Sequence, residues 1–218
     1  PKSMRSVING GRHYDIDGDK LPSVTTILSA CQSDEKKASL AAWKARMGDK
    51  AADEVRDTAA ARGTAMHTYL EHYLDGTGYK DLTTLGKQAE VMANKIIESG
   101  LGDLEELWGL ETTLYYPDLY AGATDVVGVY GGQPAIIDFK QSNKPKRREW
   151  IMDYFEQLGA YAMAHNQVYG TKIQSGIVLM CTKDFMFQKF EVSGREFVGH
   201  QHAFLRKVDQ YYKNVSQA

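Results

Sequence analysis

Two cysteines in 218 residues, Cys31 and Cys181, are too few for a disulfide framework and too far apart for a Cys-x-x-Cys pair. So few point to a reduced, intracellular setting, and two cannot by themselves ligate a four-cysteine iron–sulfur cluster. No apolar run approaches the ~20 residues that a membrane-spanning helix needs. Residues 1–6 hold no apolar stretch, so no secretory leader is expected there. Nor is there an excess of charge, with 26 Lys and Arg against 28 Asp and Glu and a formal net of −2. Any nucleic-acid function must therefore lie in a local patch rather than in bulk charge. Absent too are a Walker A loop, a Gly-x-Gly-x-x-Gly after a strand and a Gly-x-Ser-x-Gly elbow. Their absence leaves ordinary nucleotide-binding and serine-hydrolase readings without support.

What is present suits one globular domain over residues 1–218. At 43% hydrophobic and 25% charged, a chain of this length buries a sizeable core without a staple. Residues 21–100 are expected to be helical and residues 105–218 to form a sheet core. Pro22-Ser23 before Val24 to Leu28 predicts a capped helix start. Residues 34–47 are rich in Ala, Lys and Leu and can be ended by Gly48. Residues 49–74 read as a long helix stopped by Gly76, and residues 85–99 as another closed by Gly100. From Glu111 the period changes. Residues 112–116, 121–130 and 134–141 are strand-like, broken by Pro117-Asp118 and Gly131-Gly132. Residues 148–168 return to helical spacing, 172–181 and 184–192 predict two strands, and 196–212 a closing helix. The order predicts an α/β (mixed α+β) fold, with a central mixed sheet flanked by helices and a helical N-terminal half. No internal repeat or low-complexity linker is visible.

Residues 124–140 carry the most chemistry. A Gly-Gly pair between two strand-like runs predicts a two-residue hairpin turn. With Gly131-Gly132 as that turn, Tyr130 faces Gln133, and counting back sets Asp125 directly opposite Asp138. Lys140, two residues beyond Asp138, projects from the same face. Facing like charges destabilise a sheet. A hard divalent cation would offset them, because Mg²⁺ favours one or two carboxylates with several waters. The flanking Val126-Val127 and Ile136-Ile137 predict strands buried on both faces, so the acids end a buried strand rather than decorate a solvated one. Two acids, a metal and a lysine suit phosphodiester hydrolysis: the metal polarises the phosphate and activates a water, and the lysine positions that water or neutralises developing charge. A glycosidase would use two carboxyls and no lysine. Glu111 stays open at this level. A three-residue loop at Pro117-Asp118-Leu119 sets it opposite Asp125, and a two-residue loop moves it away.

Asp125, then Asp138-Phe139-Lys140 ending a hydrophobic strand, then a helix with Gln157-Leu158-Gly159-Ala160-Tyr161, resembles the PD-(D/E)xK nuclease superfamily in its RecB-like exonuclease branch. Arg62-Gly63-Thr64-Ala65-Met66-His67 matches the histidine that this branch carries on an earlier helix. Within the branch, Ser23 to Leu28, Trp43 and Asp138-Phe139-Lys140-x-Ser142-x-Lys144-Pro145-Lys146 are similar to the mitochondrial genome maintenance exonucleases and their phage-encoded relatives. The resemblance covers residues 21–166, and its specificity lies in the order and spacing of motifs that are each weak alone. It implies a restriction-endonuclease-like core, with His67, Asp125, Asp138 and the Phe139 backbone carbonyl as ligands of Mg²⁺ or Mn²⁺. It implies Lys140 as the catalytic lysine, with Gln157 and Tyr161 orienting the site or the substrate backbone. The helices over residues 34–74 would form an arch above the site. The cysteines of the iron–sulfur relatives are missing, so their cluster is not implied.

Spacing agrees with part of this. Gln157 and Tyr161 share a helical face, as do His67 and Glu71, and Gly63 one turn before His67 leaves room for a close backbone approach. Glu71 reads as a supporting acid for His67 or as a surface carboxylate. Trp43, Tyr69 and Tyr73 read as base-stacking surfaces or, each singly, as core. The basic run just past the site offers Lys144, Lys146, Arg147 and Arg148 for phosphate contacts. The expected activity is a Mg²⁺- or Mn²⁺-dependent deoxyribonuclease, an exonuclease on single-stranded DNA or frayed ends in replication, repair or recombination. Its setting would be host cytoplasm if phage-encoded, or the mitochondrial matrix for a trimmed eukaryotic relative. The rivals are a duplex-degrading exonuclease or flap endonuclease on the same core, and an inert nucleic-acid-binding module. The inert module would have lost the lysine or an acid, and all are present.

Overall fold

The computed structural model describes residues 4–218; residues 1–3 of the segment read for a leader lie outside the described residues. The chain opens with a small antiparallel sheet of β1 (Arg5–Ile8), β2 (Gly11–Ile16) and β3 (Asp19–Pro22). The first half is therefore not helical throughout. The turns joining these strands are Asn9-Gly10, with φ 50° and 77°, and Asp17-Gly18, with φ 52° and 93°. Asn-Gly and Asp-Gly are the residues that tight hairpins demand, because both turn positions need positive φ.

Four helices follow. In α1 (Val24–Ala30), the Ser23 side chain caps the start by accepting from the Thr26 N–H, the role expected of an N-cap serine. α2 (Asp34–Met47) is capped by Ser33 and stops at Gly48, and it buries none of its residues. α3 (Asp49–Asp75) ends at a left-handed Gly76, and Ala65, Met66, Tyr69 and Leu70 form its buried stripe. α4 (Thr84–Gly100) is capped by Thr83.

The main sheet runs in the order β4 (Leu104–Tyr116), β5 (Tyr120–Tyr130), β6 (Gln133–Ser142), β7 (Ser175–Thr182) and β8 (Phe187–Ser193). Neighbours are antiparallel except β6 and β7, which run parallel through the crossover helix α5 (Met152–Tyr169). α6 (Gly194–Ser216) closes the chain. Several boundaries differ from the periodicity: β7 and β8 each start three residues later than expected, and α6 is longer at both ends. β4 starts at Leu104 rather than 112, because register shifts between Leu104 and Glu106 and between Leu107 and Gly109 break its alternation. α5 starts at Met152, and Arg148–Trp150 forms a separate 3₁₀ turn.

Helices cover both faces of this sheet, the mixed α/β architecture predicted from the element order. Val127, Ile136, Val178 and Met180 pack with Phe155, Leu158 and Phe204 on one side. Val126, Ile137, Phe139 and Leu179 pack with Met66, Leu70, Met92 and Ile96 on the other. Burial on both faces accounts for the continuous apolar runs in β5, β6 and β7. Among the described residues no helix is long and apolar enough to cross a membrane.

The Gly131-Gly132 turn has φ 56° and 79°. It pairs Tyr130 with Gln133 and sets the register through Val126 and Ile137. An L-residue in that left-handed region costs about 1–2 kcal/mol. Gly131→Ala and Gly132→Ala should each lower the unfolding free energy by that order in urea titrations, whereas Gly131→Asn should be close to neutral.

Candidate active site

The β5–β6 ladder, carried one rung beyond Val126–Ile137, brings Asp125 across from Asp138, as counting from the turn requires. Asp125 Oδ2 accepts the Phe139 N–H at 2.8 Å, so a carboxylate replaces the next inter-strand bond. Both acids are buried, at 9% and 5% exposure. Lys140 Nζ lies 2.8 Å from Asp138 Oδ2 and donates to Gln157 Oε1 at 2.9 Å. The Gln157 amide in turn donates to the Tyr161 hydroxyl at 3.0 Å. The face shared by Asp138 and Lys140 is thus held from α5, where Gln157 and Tyr161 sit one turn apart.

His67 arrives from α3, across the opposite layer. Its Nδ1 is 2.8 Å from the Gly63 carbonyl and its Nε2 is 3.2 Å from Asp125 Oδ2. A carbonyl only accepts, so Nδ1 carries the proton and Nε2 is the nitrogen turned to the acids. A Cβ on Gly63 would stand 3.1 Å from the Gln141 side chain, which is the close approach its position predicts. Tyr116 pairs with Tyr120, so the loop between them has three residues. Glu111 then falls between the Leu110–Val126 and Thr112–Thr124 pairs, opposite Asp125. Its φ of 47° is a strained conformation for a non-glycine residue within a strand.

These groups perturb one another. Burial raises the Asp125 carboxyl above its usual range, and the Asp138 charge raises it further. Burial would raise Asp138 too, but the Lys140 ammonium and hydrogen bonds from Asp125 and Lys140 outweigh it and hold that carboxyl low. Burial works against the charge on Lys140, yet Asp138 more than compensates and keeps the ammonium above the ordinary lysine range. Burial would lower His67, but the charge and hydrogen bond of Asp125 carry it up to about 9. Glu111 is raised to about 7 by burial and by Asp125.

Among the described residues no three of His, Cys, Asp and Glu are arranged as a ready metal cage. The donor set fits a hard divalent cation of a different kind, one held by two carboxylates with waters completing its shell. Asp125 and Asp138 are the residues that could supply those oxygens. With Nδ1 held by the Gly63 carbonyl, Nε2 is the nitrogen that could ligate, once it gives up its proton and its contact with Asp125.

The site opens into a cavity of about 390 Å³ whose lining includes Gly63, His67, Glu111, Asp125, Asp138, Lys140, Gln157 and Tyr161. Other expected residues are not brought there. Glu71 is outside this lining, and the partner of His67 is the Gly63 carbonyl. Lys144, Lys146, Arg147 and Arg148 also lie outside it. Arg148 is engaged with the Glu191 carbonyl and with Glu196 at 2.8 and 2.7 Å, which makes it a tie to β8 and α6 rather than a free cation. Tyr69 is core, and Tyr73 is exposed.

Three residues missed by motif reasoning do line the cavity: Arg5, Arg12 and Tyr14. They come from the N-terminal sheet, which docks through Tyr14 and Leu21 on Ala121. The Arg12 carbonyl accepts the Ser23 N–H at 2.9 Å and the Thr26 hydroxyl at 3.0 Å, tying β2 to the cap of α1. The Asn-Gly and Asp-Gly dipeptides were the signal that could have found this sheet. Arg62, which opens the motif ending at His67, stands outside this lining. It is buried, and it reaches Gln88 and Asn143 at 3.1 Å each, joining α3 to α4 and to the loop after Lys140.

The sequence is similar to mitochondrial genome maintenance exonuclease 1. The human protein is 29% identical over 177 residues, covering 75% of this chain and 50% of that protein. The mouse protein is 28% identical over 179 residues, 78% of this chain and 52% of that protein. The chain thus spans about half the length of the curated relatives it matches. No protein-family model matches the sequence. A crystal structure from Eubacterium rectale superposes with a TM-score of 0.48 and 16% identity over 70% of this chain and 68% of that one, a likeness too distant to argue from. The resemblance to a PD-(D/E)xK exonuclease read from the motifs is borne out by the mitochondrial relatives.

Crowded acids make stability depend on pH in a definite direction. Glu111 has a folded value of about 7 against an ordinary 4.5, so it costs stability from pH 4.5 upward, fully so above 7. His67 has a folded value of about 9 against 6.5, so its contribution is complete below 6.5 and gone above 9. Both effects act in the same sense. In chelator the melting temperature should fall between pH 5 and pH 9. Glu111→Gln should flatten the part below pH 7 and melt above the wild type at pH 8. Identical melting of the two at pH 8 would show that Glu111 bears no repulsion.

Proposed function

We propose that the chain is a metal-dependent DNA exonuclease hydrolysing phosphodiester bonds in single strands or at frayed ends. The observation that carries this is the convergence of Asp125, Asp138, Lys140, Gln157 and His67 on one cavity, linked by contacts of 2.8–3.2 Å. The exonuclease name of the mitochondrial relatives supports it. Asp125, Asp138, the Phe139 carbonyl and His67 would hold Mg²⁺ or Mn²⁺. When bound, such an ion polarises the phosphate and lowers the pKa of a water beside it.

The remaining work falls to the protein's own groups. Lys140, held protonated by Asp138, has no lone pair with which to take a proton. It therefore serves to offset negative charge gathering on the phosphate. Gln157 positions Lys140, and Tyr161 positions Gln157. That α2 buries no residue supports its role as an arch under which a single strand passes. Lys144, Lys146 and Arg147 remain available to the phosphates outside the cavity, and Arg5 and Arg12 to those inside. Such an enzyme would act in replication, repair or recombination, in whichever compartment holds its DNA.

The direct test compares linear and circular single strands of one sequence, with Mg²⁺ or with chelator. The line should be degraded, the circle spared and blunt duplex attacked slowly, and chelator should stop all three. Lys140→Ala should cut the rate by about 10²–10⁴ while DNA binding persists. Equal rates on circle and line would replace the exonuclease by an endonuclease. Separately, the double variant Arg5→Ala with Arg12→Ala should raise KM at near-constant kcat. It should also flatten the log–log salt dependence of binding by about 0.7 for each phosphate that is no longer neutralised. An unchanged slope would remove these arginines from substrate binding.

A further inference from the structure

Beside the catalytic cavity lies a second cleft of about 530 Å³ that shares Thr25, Lys140 and Gln157 with it. One wall comes from α1 and the start of α2, the other from the chain entering α5. Lys36 pairs with Asp153 at 2.9 Å and Lys207 with Glu156 at 2.7 Å, Lys140 is engaged by Asp138 at 2.8 Å, and the exposed Glu149 lies 4.0 Å from Arg147. Nothing there recommends a phosphate.

Beside the polar Thr25, Ser29, Gln32 and Ser33, the lining carries an apolar and aromatic surface. Trp150 is 58% exposed and Met152 46%, although both line the cleft. The Arg147 guanidinium lies over the indole, 5.3 Å from its centroid. Tyr154, also in the lining, has its ring centroid 4.7 Å from Lys140 Nζ. A charged cavity and a neutral aromatic cleft thus meet at the lysine. That division matches the two halves of a nucleotide, and stacking on an aromatic face accepts any base.

We propose that this cleft is a nucleobase subsite. The base of a nucleotide flanking the scissile phosphate stacks on Trp150, while its backbone crosses Lys140 into the catalytic cavity. The proposal rests on the nuclease reading above and adds to it a binding residue outside the motifs.

Steady-state cleavage of linear single-stranded DNA with Mg²⁺ tests it. Trp150→Ala should raise KM roughly 5- to 150-fold, the span of one base–aromatic stack, with kcat little changed, and Trp150→Phe should recover most of the loss. A strand whose three nucleotides nearest each end are abasic should show a similar loss with the wild type. It should show no additional loss with Trp150→Ala, because the stack is already missing from one side. An unchanged KM in Trp150→Ala, or losses that simply add, would overturn the subsite while wild-type cleavage stands. A wild type that hydrolyses no linear strand with Mg²⁺ or Mn²⁺ would overturn the nuclease reading, and the subsite with it.

Discussion

Two carboxylates facing each other at the end of a buried sheet are the constraint around which this molecule is arranged. Asp125 and Asp138 are both nearly inaccessible, where the solvent screening that makes surface charges cheap is missing. Each neighbouring group answers part of that cost. The Phe139 N–H and His67 Nε2 both contact Asp125 Oδ2, and Lys140 neutralises Asp138. The two acids end in opposite conditions, one raised and one lowered. Pairs of titratable groups pushed apart by their surroundings mark sites of chemistry more often than of structure.

The geometry that holds the pair is assembled from distant parts of the chain. Gly131-Gly132 sets the β5–β6 register, the three-residue loop before Tyr120 sets that of β4, and the two together face Glu111, Asp125 and Asp138 toward one another. α3 and α5 lie on opposite faces of the sheet, yet both reach the site because it sits past the last paired rung of β5 and β6, where these two strands no longer bond to each other. Arg62 then fastens α3 to the loop that leaves Lys140. Such dispersion means that packing far from the carboxylates still governs their separation.

Much of this was legible in the residues, and the gaps have physical causes. The helix ends at Ser23, Gly48 and Gly76 were readable because caps and left-handed stops need particular residues. The facing aspartates followed from period-2 counting off one glycine turn. Glu111 was undecidable because one residue of loop length flips a strand's faces. β1 to β3 went unseen because four- and six-residue strands carry too little alternation to register, although their Asn-Gly and Asp-Gly turns announce them. With that sheet unseen, Arg5 and Arg12 could not be placed. Glu71 was open between a supporting acid and a surface carboxylate, and helical spacing could not choose, because the group that meets His67 Nδ1 is a backbone carbonyl and Glu71 lies outside the cavity lining.

A slightly acidic protein can grip a polyanion only if its positive groups are left free where they matter. Here the cations are sorted by pairing. Lys36, Arg148 and Lys207 are each held by a carboxylate within 3 Å, and they brace helices and loops. Among the described residues Arg5 and Arg12 form no ion pair, although three acids line the same cavity. On the nuclease reading proposed above, a phosphate would meet repulsion from Glu111, Asp125 and Asp138, and the two arginines, which line the same cavity, would offset part of it without touching the acids directly. Lys140 cannot do this alone, because Asp138 already claims its charge. The N-terminal sheet thus supplies what the sheet core cannot, and the cavity is complete only when both are present.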